Sequence, residues 1–193
     1  MPRARRAARG TRVTGTLRRP PSLAPYGAAM RPVPDRVRPG QESVWDYPRP
    51  PAIESVDVRL AIDLGGRRIV DTRDVVRVLE TSHPPVYYVP ASAFVPGALV
   101  PAAGASFCEF KGAARYFDVV GGERTAARAA WTYPDPSPGY EDLRGRVAVY
   151  AGPMDECSVD GEVVTPQPGS FYGGWITSGV AGPFKGAPGS MGW

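Results

Sequence analysis

The sequence lacks any long apolar run, and it has only two cysteines and one histidine. No stretch approaches the roughly 20 apolar residues that a membrane-spanning helix needs, so we expect no membrane segment. Cys108, Cys157 and the lone His83 cannot supply the four closely spaced ligands of a structural zinc site. We therefore expect no metal and no cofactor, and a cytoplasmic protein with reduced thiols. The sequence leaves open whether the two cysteines are paired.

Lysine is almost absent as well. The chain has 21 arginines but only two lysines, Lys111 and Lys185, and each stands in a Phe-Lys-Gly sequence. A compact ammonium group enters a narrow site that a guanidinium does not fit. The two retained lysines are consistent with such a role and equally consistent with chance.

Acidic residues are missing from the first 29 positions, which carry seven arginines. Residues 30–193 carry 16 basic and 19 acidic side chains, a net charge of −3, so the body offers no general attraction to nucleic acid. We expect residues 1–30 to form a disordered Arg-rich tail, because so little apolar surface cannot order a segment. This tail is either a weak nucleic-acid-binding arm or the result of a start codon assigned too early. We favour the second interpretation, with translation beginning at Met30.

Turn residues and alternating apolar residues are abundant, with 23 glycines and 23 prolines. The alternation over residues 56–64 predicts one strand that enters a two-residue hairpin turn at Gly65-Gly66. A second hairpin is predicted over residues 105–124, with a bend at Lys111-Gly112 and a turn at Gly121-Gly122. Residues 138–145 form the one plausible short helix, and residues 91–98 a short helix or turn. Further strands are predicted at residues 69–72, 75–80, 86–90, 146–152 and 156–164.

The last stretch of the chain, residues 167–193, combines glycine and proline with more aromatic residues than a free linker carries. We expect it to wrap the surface of the body, held there by Phe171, Tyr172, Trp175, Phe184 and Trp193. The prediction for residues 31–193 is thus a single, mainly β domain of antiparallel hairpins.

Seven segments of the chain resemble, in this order, the bacterial domain family DUF427: VWDYPRPP, ETSHPPVYY, SFCEFKGAARYFDV, AAWTYPDP, VAVYAG, FYGGWIT and GPFKGAPG. The resemblance covers about residues 31–193. It implies a small β-tent (Mss4-like) fold in which two sheets lean over an internal cavity. Relatives of that fold often hold zinc with four cysteines, which this chain lacks. The family has no established activity, so the resemblance implies a fold and no mechanism.

The family also carries the label nucleotidyltransferase 9, which the residues do not support. Such enzymes need a Gly-Gly or Gly-Ser turn followed by two carboxylates at D-x-D spacing, which hold two metal ions on one strand face. After Gly65-Gly66 the acids are Asp71 and Asp74, whose spacing puts them on opposite faces of a strand.

Residues able to bind a ligand are concentrated in three segments, and nine of them form the predicted site: Glu80, His83 and Tyr88; Cys108, Lys111 and Tyr116; Trp131, Tyr133 and Tyr150. Alternation turns about half of the aromatic residues inward, where tyrosine hydroxyls need partners. A mostly aromatic cavity with a few polar groups is typical of a small-molecule site. We predict a binding module whose cavity between the sheets holds a small molecule, with Glu80, Lys111 and Tyr88 at its polar end.

Other interpretations stay open. An enzyme, a hydrolase or transferase, would use Cys108 as nucleophile with His83 as base, oriented by Glu80 or Glu109, or would use Glu80 and Lys111 as an acid–base pair. A structural or interaction protein would keep Glu80–Lys111 as a satisfied ion pair, His83 at a surface turn and residues 167–193 as a docking element. Pro84 favours an extended His83, so SHPP is expected to shape a crossing between strands. The ligand, the reaction and the oligomeric state are not determined by the sequence.

Overall fold

A computed structural model describes residues 32–190 and 192–193, so the predicted tail of residues 1–30 lies outside the described residues. The described chain forms fifteen strands and confirms the prediction of a mainly β domain. The strands are β1 (Glu42–Ser43), β2 (Ala52–Val56), β3 (Leu60–Leu64), β4 (Arg67–Thr72), β5 (Val75–Leu79), β6 (Val86–Pro90), β7 (Leu99–Cys108), β8 (Gly112–Gly121), β9 (Arg124–Thr132), β10 (Arg146–Val149), β11 (Glu156–Val159), β12 (Glu162–Val163), β13 (Thr165–Pro166), β14 (Trp175–Ile176) and β15 (Val180–Ala181).

Helical structure in the described residues is limited to two 3₁₀ helices, Ala91–Ala93 and Glu141–Leu143. The second falls within the predicted helix of residues 138–145 but spans only three residues. Gly139 and Gly145 both have positive φ, which interrupts a helix and leaves too few residues between them for an α-helix. No described helix has the length and apolar character needed to cross a bilayer.

Most strands belong to two antiparallel sheets. The large sheet has seven strands in the order β2-β5-β6-β10-β9-β8-β7, and the small sheet has four in the order β12-β11-β3-β4. Two further strand pairs hold the C-terminal segment. β1 pairs with β15, and β13 pairs with β14. The predicted hairpin at Gly65-Gly66 is confirmed, because Leu64 pairs with Arg67 across the two-residue turn.

The single strand predicted over residues 56–64 is wrong, because the chain leaves one sheet and enters the other within it. Val56 ends β2 and pairs with Val75 in the large sheet, whereas Leu60 begins β3 and pairs with Thr72 in the small sheet. At the crossing, Arg59 and Asp160 exchange hydrogen bonds of 2.7 and 2.8 Å. Apolar residues still alternate through the crossing, so periodicity alone cannot reveal it.

The large sheet is apolar on both faces. Residues of one face pack against Leu60, Ile62 and Leu64 of the small sheet and form the main core: Val75, Tyr87, Val89, Ala130, Val147 and Val149. Their neighbours in sequence point to the opposite face and form a second apolar cluster: Val76, Val78, Tyr88, Trp131 and Ala148. A sheet buried on both faces carries near-continuous apolar runs, as in the sequence VYYV of β6.

Two glycine turns join the sheets at one end of the core. The Gly65-Gly66 turn of the small sheet lies directly against Gly121 and Gly122 at the β8–β9 turn of the large sheet. A Cβ atom at Gly65 would overlap the carbonyl of Gly121, and one at Gly121 would overlap the carbonyl of Leu64. The backbones therefore touch without intervening side chains, which only glycine permits.

The C-terminal segment contributes to the core. Trp175, one of the residues expected to hold this segment on the body, is only 1% exposed and belongs to the main core. Its indole N–H donates to the carbonyl of Val149 at 2.9 Å, and its backbone N–H donates to the carbonyl of Pro85 at 2.9 Å. Phe171, by contrast, is 75% exposed. Trp175 is thus an internal packing residue of the domain.

Candidate functional site

A cavity of about 420 Å³ opens on the second apolar face of the large sheet. Its walls come from β5 to β9, from the segments before β2 and after β5, β7, β9 and β10, and from the C-terminal segment. None of its lining residues belongs to the small sheet, and the space between the sheets is occupied by the main core. The predicted position between the two sheets is therefore wrong. The volume lies in the range of small-molecule sites, and we call this space the aromatic cavity.

The structure brings all nine predicted site residues to the aromatic cavity: Glu80, His83, Tyr88, Cys108, Lys111, Tyr116, Trp131, Tyr133 and Tyr150. Strand pairing explains why three separate segments meet. Tyr116 of β8 lies directly opposite Trp131 of β9, and Trp131 lies opposite Ala148 of β10. Tyr88 of β6 points to the same face, next to β10 in the sheet.

Trp131 is the centre of the aromatic wall. Its indole N–H donates to the hydroxyl of Tyr88 at 3.1 Å, and its ring lies 4.5 Å from that of Tyr150. The hydroxyl of Tyr116 is hydrogen-bonded to Ser106 at 2.7 Å. Burial raises the pKa of Tyr88 and of Tyr133 above the usual range of a phenol. These tyrosines are therefore neutral at pH 7 and present hydroxyl groups to the cavity.

The two cysteines are unpaired and lie in different surroundings. Cys157 is buried in the main core, where burial raises the pKa of its thiol. Cys108 is partly exposed at the end of β7 and lines the aromatic cavity. No group of three or more His, Cys, Asp or Glu side chains within the described residues is arranged to hold a metal ion.

Charged side chains form one end of the cavity. Arg49 donates to Glu80 at 3.0 Å and to Glu109 at 2.7 Å, so one guanidinium joins two carboxylates. The ammonium of Lys111 lies 3.7 Å from the other oxygen of Glu80. Glu80 and Lys111 therefore face each other as an ion pair, but the distance is too long for a hydrogen bond.

His83 is buried beside this charged end rather than exposed at a surface turn, and it is 7% exposed. Its Nδ1 lies 2.9 Å from the carbonyl of Thr81. A carbonyl only accepts, so Nδ1 carries the proton and donates. Burial, the largest influence, holds the pKa of His83 below its usual range. His83 is thus neutral at pH 7, with a lone pair on Nε2.

This geometry differs from the nucleophilic scheme, in which Glu80 or Glu109 orients His83. Neither carboxylate binds the imidazole, because Thr81 takes Nδ1 and Arg49 binds both acids. The SHPP segment does form a tight turn, in which the N–H of His83 donates to the carbonyl of Glu80 at 3.0 Å. Ser82 reaches a φ of 70° inside that turn. The turn fixes His83 and Glu80 at the same end of the cavity.

Sequence analysis missed the residues that the C-terminal segment contributes to the cavity: Gln167, Phe171, Tyr172, Gly173 and Lys185. Gln167 holds this part together, since its side chain donates to the carbonyl of Lys185 at 2.8 Å and accepts from the N–H of Gly174 at 3.0 Å. Gly173 lies so close to Trp131 that a Cβ atom would overlap the indole ring. The unusual second Phe-Lys-Gly sequence was the one signal that pointed to Lys185.

Comparison with known proteins gives one family. The family model described as "Domain of unknown function (DUF427)" matches residues 52–160, which is more than half of the chain. The match runs from β2 to β11 and ends before the C-terminal residues that complete the cavity. No curated protein matches the chain.

Proposed function

Since the chain belongs to the DUF427 family, whose function is unknown, we propose a function from its own residues: a binding module that holds a small molecule in the aromatic cavity. One observation carries this proposal. An enclosed aromatic wall around Trp131 and a charged end with Glu80 and Lys111 border the same space. Apolar walls with a few convergent polar groups are the usual composition of a ligand site.

The arrangement favours a ligand with a flat apolar part and one polar end. The flat part would stack in the wall of Trp131 and Tyr150, where aromatic contacts add to the gain from burial. The polar end would lie at Glu80 and Lys111. The hydroxyl of Tyr88 already accepts from Trp131, which leaves its proton available for an acceptor on the ligand.

The alternatives find less support in the geometry. A hydrolase or transferase using Cys108 and His83 would place the imidazole within hydrogen-bond reach of the thiol, whereas within the described residues the one hydrogen bond of the His83 ring goes to the carbonyl of Thr81. An interaction protein would use residues 167–193 as a docking element, whereas Trp175 and Gln167 of this segment are buried in the domain. Binding requires neither an oriented base nor a free segment.

The first test is native mass spectrometry of the purified protein, compared with its mass after denaturation. We expect an added mass that is lost on denaturation. Trp131→Ala should reduce the occupancy at least tenfold, because it removes the centre of the wall. Trp45→Ala is the matched control, since Trp45 packs against Trp193 and does not line the cavity.

Where the protein purifies without a bound molecule, an aromatic fragment library screened by ligand-observed NMR replaces the first readout, with the same two variants. Fragments that bind the wild type and Trp45→Ala but not Trp131→Ala support the proposal. Equal binding to all three proteins, or no fragment bound, would overturn it.

For the setting in which the module works, we propose the cytoplasm. Two unpaired cysteines support this, because thiols stay reduced in that compartment. The body's net charge of −3 over residues 30–193 favours a small molecule over nucleic acid as the partner.

A further inference from the structure

The side chain of Lys111 is mostly buried, and its ammonium group reaches the open space of the aromatic cavity without a hydrogen bond to the described residues. Lys111 is 8% exposed and lines the aromatic cavity. Its Nζ has three N–H groups, and within residues 32–190 and 192–193 the only polar contact it makes is the 3.7 Å ion pair with Glu80. Because Nζ is accessible from the cavity, its N–H groups are available to a molecule bound there. The unused donors of Lys111 therefore point to a group that enters the cavity from outside the chain.

Glu80 does not supply the missing hydrogen bond to Lys111, because it is already engaged. One of its oxygens accepts from Arg49 at 3.0 Å, and the same guanidinium donates to Glu109 at 2.7 Å. These contacts hold one oxygen of Glu80 at Arg49, while its other oxygen lies 3.7 Å from Nζ of Lys111, beyond hydrogen-bond distance. Of the two acids that line the cavity, Glu109 is the more exposed and lies on the far side of Arg49.

The second lysine, Lys185, lines the same cavity, and its ammonium group is hydrogen-bonded. Nζ of Lys185 donates to the main-chain oxygen of Trp193 at 2.7 Å and lies 5.8 Å from the ring of Tyr172. Lys185 thus has a hydrogen bond and an aromatic face, whereas Nζ of Lys111 has neither a hydrogen bond nor a cation–π contact among the described residues. The two Phe-Lys-Gly sequences place their lysines in different roles.

The charged residues that line the cavity indicate the sign of the group that would bind Lys111. The cavity is lined by three cations, Arg49, Lys111 and Lys185, and by two carboxylates, Glu80 and Glu109. His83 is neutral at pH 7 because burial lowers its pKa. Arg49 is hydrogen-bonded to both carboxylates and Lys185 to the main-chain oxygen of Trp193, so Lys111 is the cation without a hydrogen-bonded acceptor. A ligand with a negative charge would accept hydrogen bonds from Lys111 and pair with its charge.

We propose that the ligand class is a planar aromatic carboxylate, an inference that rests on the proposed function. The carboxylate accepts hydrogen bonds from Nζ of Lys111, and the ring packs against Trp131. A phosphate dianion fits less well, because the one guanidinium at this end is already held by two carboxylates. A lysine suits this position because a compact ammonium needs little room beside the aromatic wall.

The test uses the full chain labelled with ¹³C,¹⁵N-lysine, which gives side-chain signals from only two residues. Lys111→Met identifies the two signals. Three probes of the same shape and different charge are titrated: benzoate, benzamide and benzylamine. We expect benzoate to shift the Lys111 signal saturably, with a dissociation constant in the millimolar range or tighter. Benzamide should bind about tenfold more weakly, because a neutral acceptor makes the weaker hydrogen bond.

Two variants separate charge recognition from general binding, both followed by the ligand's own NMR signals. Lys111→Met should weaken benzoate about tenfold or more and leave benzamide unchanged within about threefold. Arg67→Met, which removes an exposed cation on the small sheet, is the matched control and should leave benzoate binding as in the wild type. The amide spectrum of each variant shows that it folds.

Three results would overturn the inference: equal affinities for benzoate and benzamide, a preference for benzylamine, or no saturable shift of Lys111 with benzoate. The first two leave the proposed binding function intact, because a probe still occupies the cavity and only the charge class is wrong. The failure of the binding function itself is read separately, from the native mass spectra and the fragment screen with Trp131→Ala.

Discussion

At the scale of single residues, His83 is the part of the molecule most sensitive to pH near neutrality. It is the one histidine of the chain, so no other imidazole contributes. Burial lowers its pKa; the nearby Glu80 partly opposes this, and Lys185 and Lys111 add to it. As pH falls below about 6.5, the unfolded chain therefore binds a proton before the folded chain does.

This imbalance makes the protein less stable in mild acid. The free energy of unfolding should be constant with respect to His83 above about pH 6.5. Below that it should fall by up to about 1.4 kcal/mol per pH unit, until the folded-state pKa is reached. Urea unfolding at pH 7.5, 6.5, 5.5 and 5.0 measures the slope. In His83→Asn, whose amide keeps a donor for Thr81, this slope should disappear. An unchanged slope in the variant would assign the effect to other groups.

Residue type and local spacing single out side chains such as Tyr88, Trp131 and Lys111 from the sequence, and the structure places all three at one cavity. Their role in binding stays a prediction. The state of His83 was not predictable, because it depends on Thr81 and on burial beneath Tyr172, whose ring centroid lies 4.7 Å away. Such contacts arise only when distant segments meet.

At the scale of elements, the contact between the two glycine turns is the most constrained feature. Gly121→Ala would force a Cβ atom into the carbonyl and the Cβ of Leu64, neither of which can move without moving the backbone. We expect a loss of about 3 kcal/mol in the free energy of unfolding. Gly152→Ala is the matched control, because its new Cβ meets nothing closer than 3.9 Å. It should change stability by about 0.5 kcal/mol or less.

Urea unfolding of both variants measures the difference. A Gly121→Ala protein as stable as the Gly152→Ala protein would show that the two turns separate at little cost. The junction would then not hold the sheets together.

Hairpins were predictable at this scale, and the exchange of the chain between sheets was not. Gly65-Gly66 gives a two-residue turn from local sequence alone. The break at residues 57–59 is fixed by partners far away in sequence, since Val56 pairs with Val75 and Arg59 binds Asp160. The alternation of apolar residues is the same in one long strand and in two strands that share a direction.

At the scale of the whole molecule, residues from the C-terminal segment complete the main core. Trp175→Ala should lower the free energy of unfolding by about 3–5 kcal/mol, because it empties a buried site and leaves the carbonyl of Val149 without its donor. Phe171→Ala, from the same segment, should change it by about 0.5 kcal/mol or less, since Phe171 is mostly exposed. Thermal and urea unfolding measure both. Equal effects would mean that the segment only rests on the surface.

The position of the cavity was the part of the site that the sequence did not reveal. The sequence VYYV of residues 86–89 predicts a buried strand, but the local sequence does not determine which layer covers each face of it. Tyr87 packs toward the small sheet and Tyr88 toward the cavity. The cover over Tyr88 includes residues from the C-terminal segment, about 80 positions away along the chain.

The wall formed by residues 167–185 also sets an order of events during synthesis. A ribosome adds these residues after all the strands of the large sheet, so the indole of Trp131 stays exposed until residues 167–185 have been synthesised. Trp175 arrives in the same stretch, and the main core lacks it until then. A nascent chain held before this point therefore exposes the aromatic face around Trp131. The main core and the wall of the aromatic cavity are completed by the same late segment.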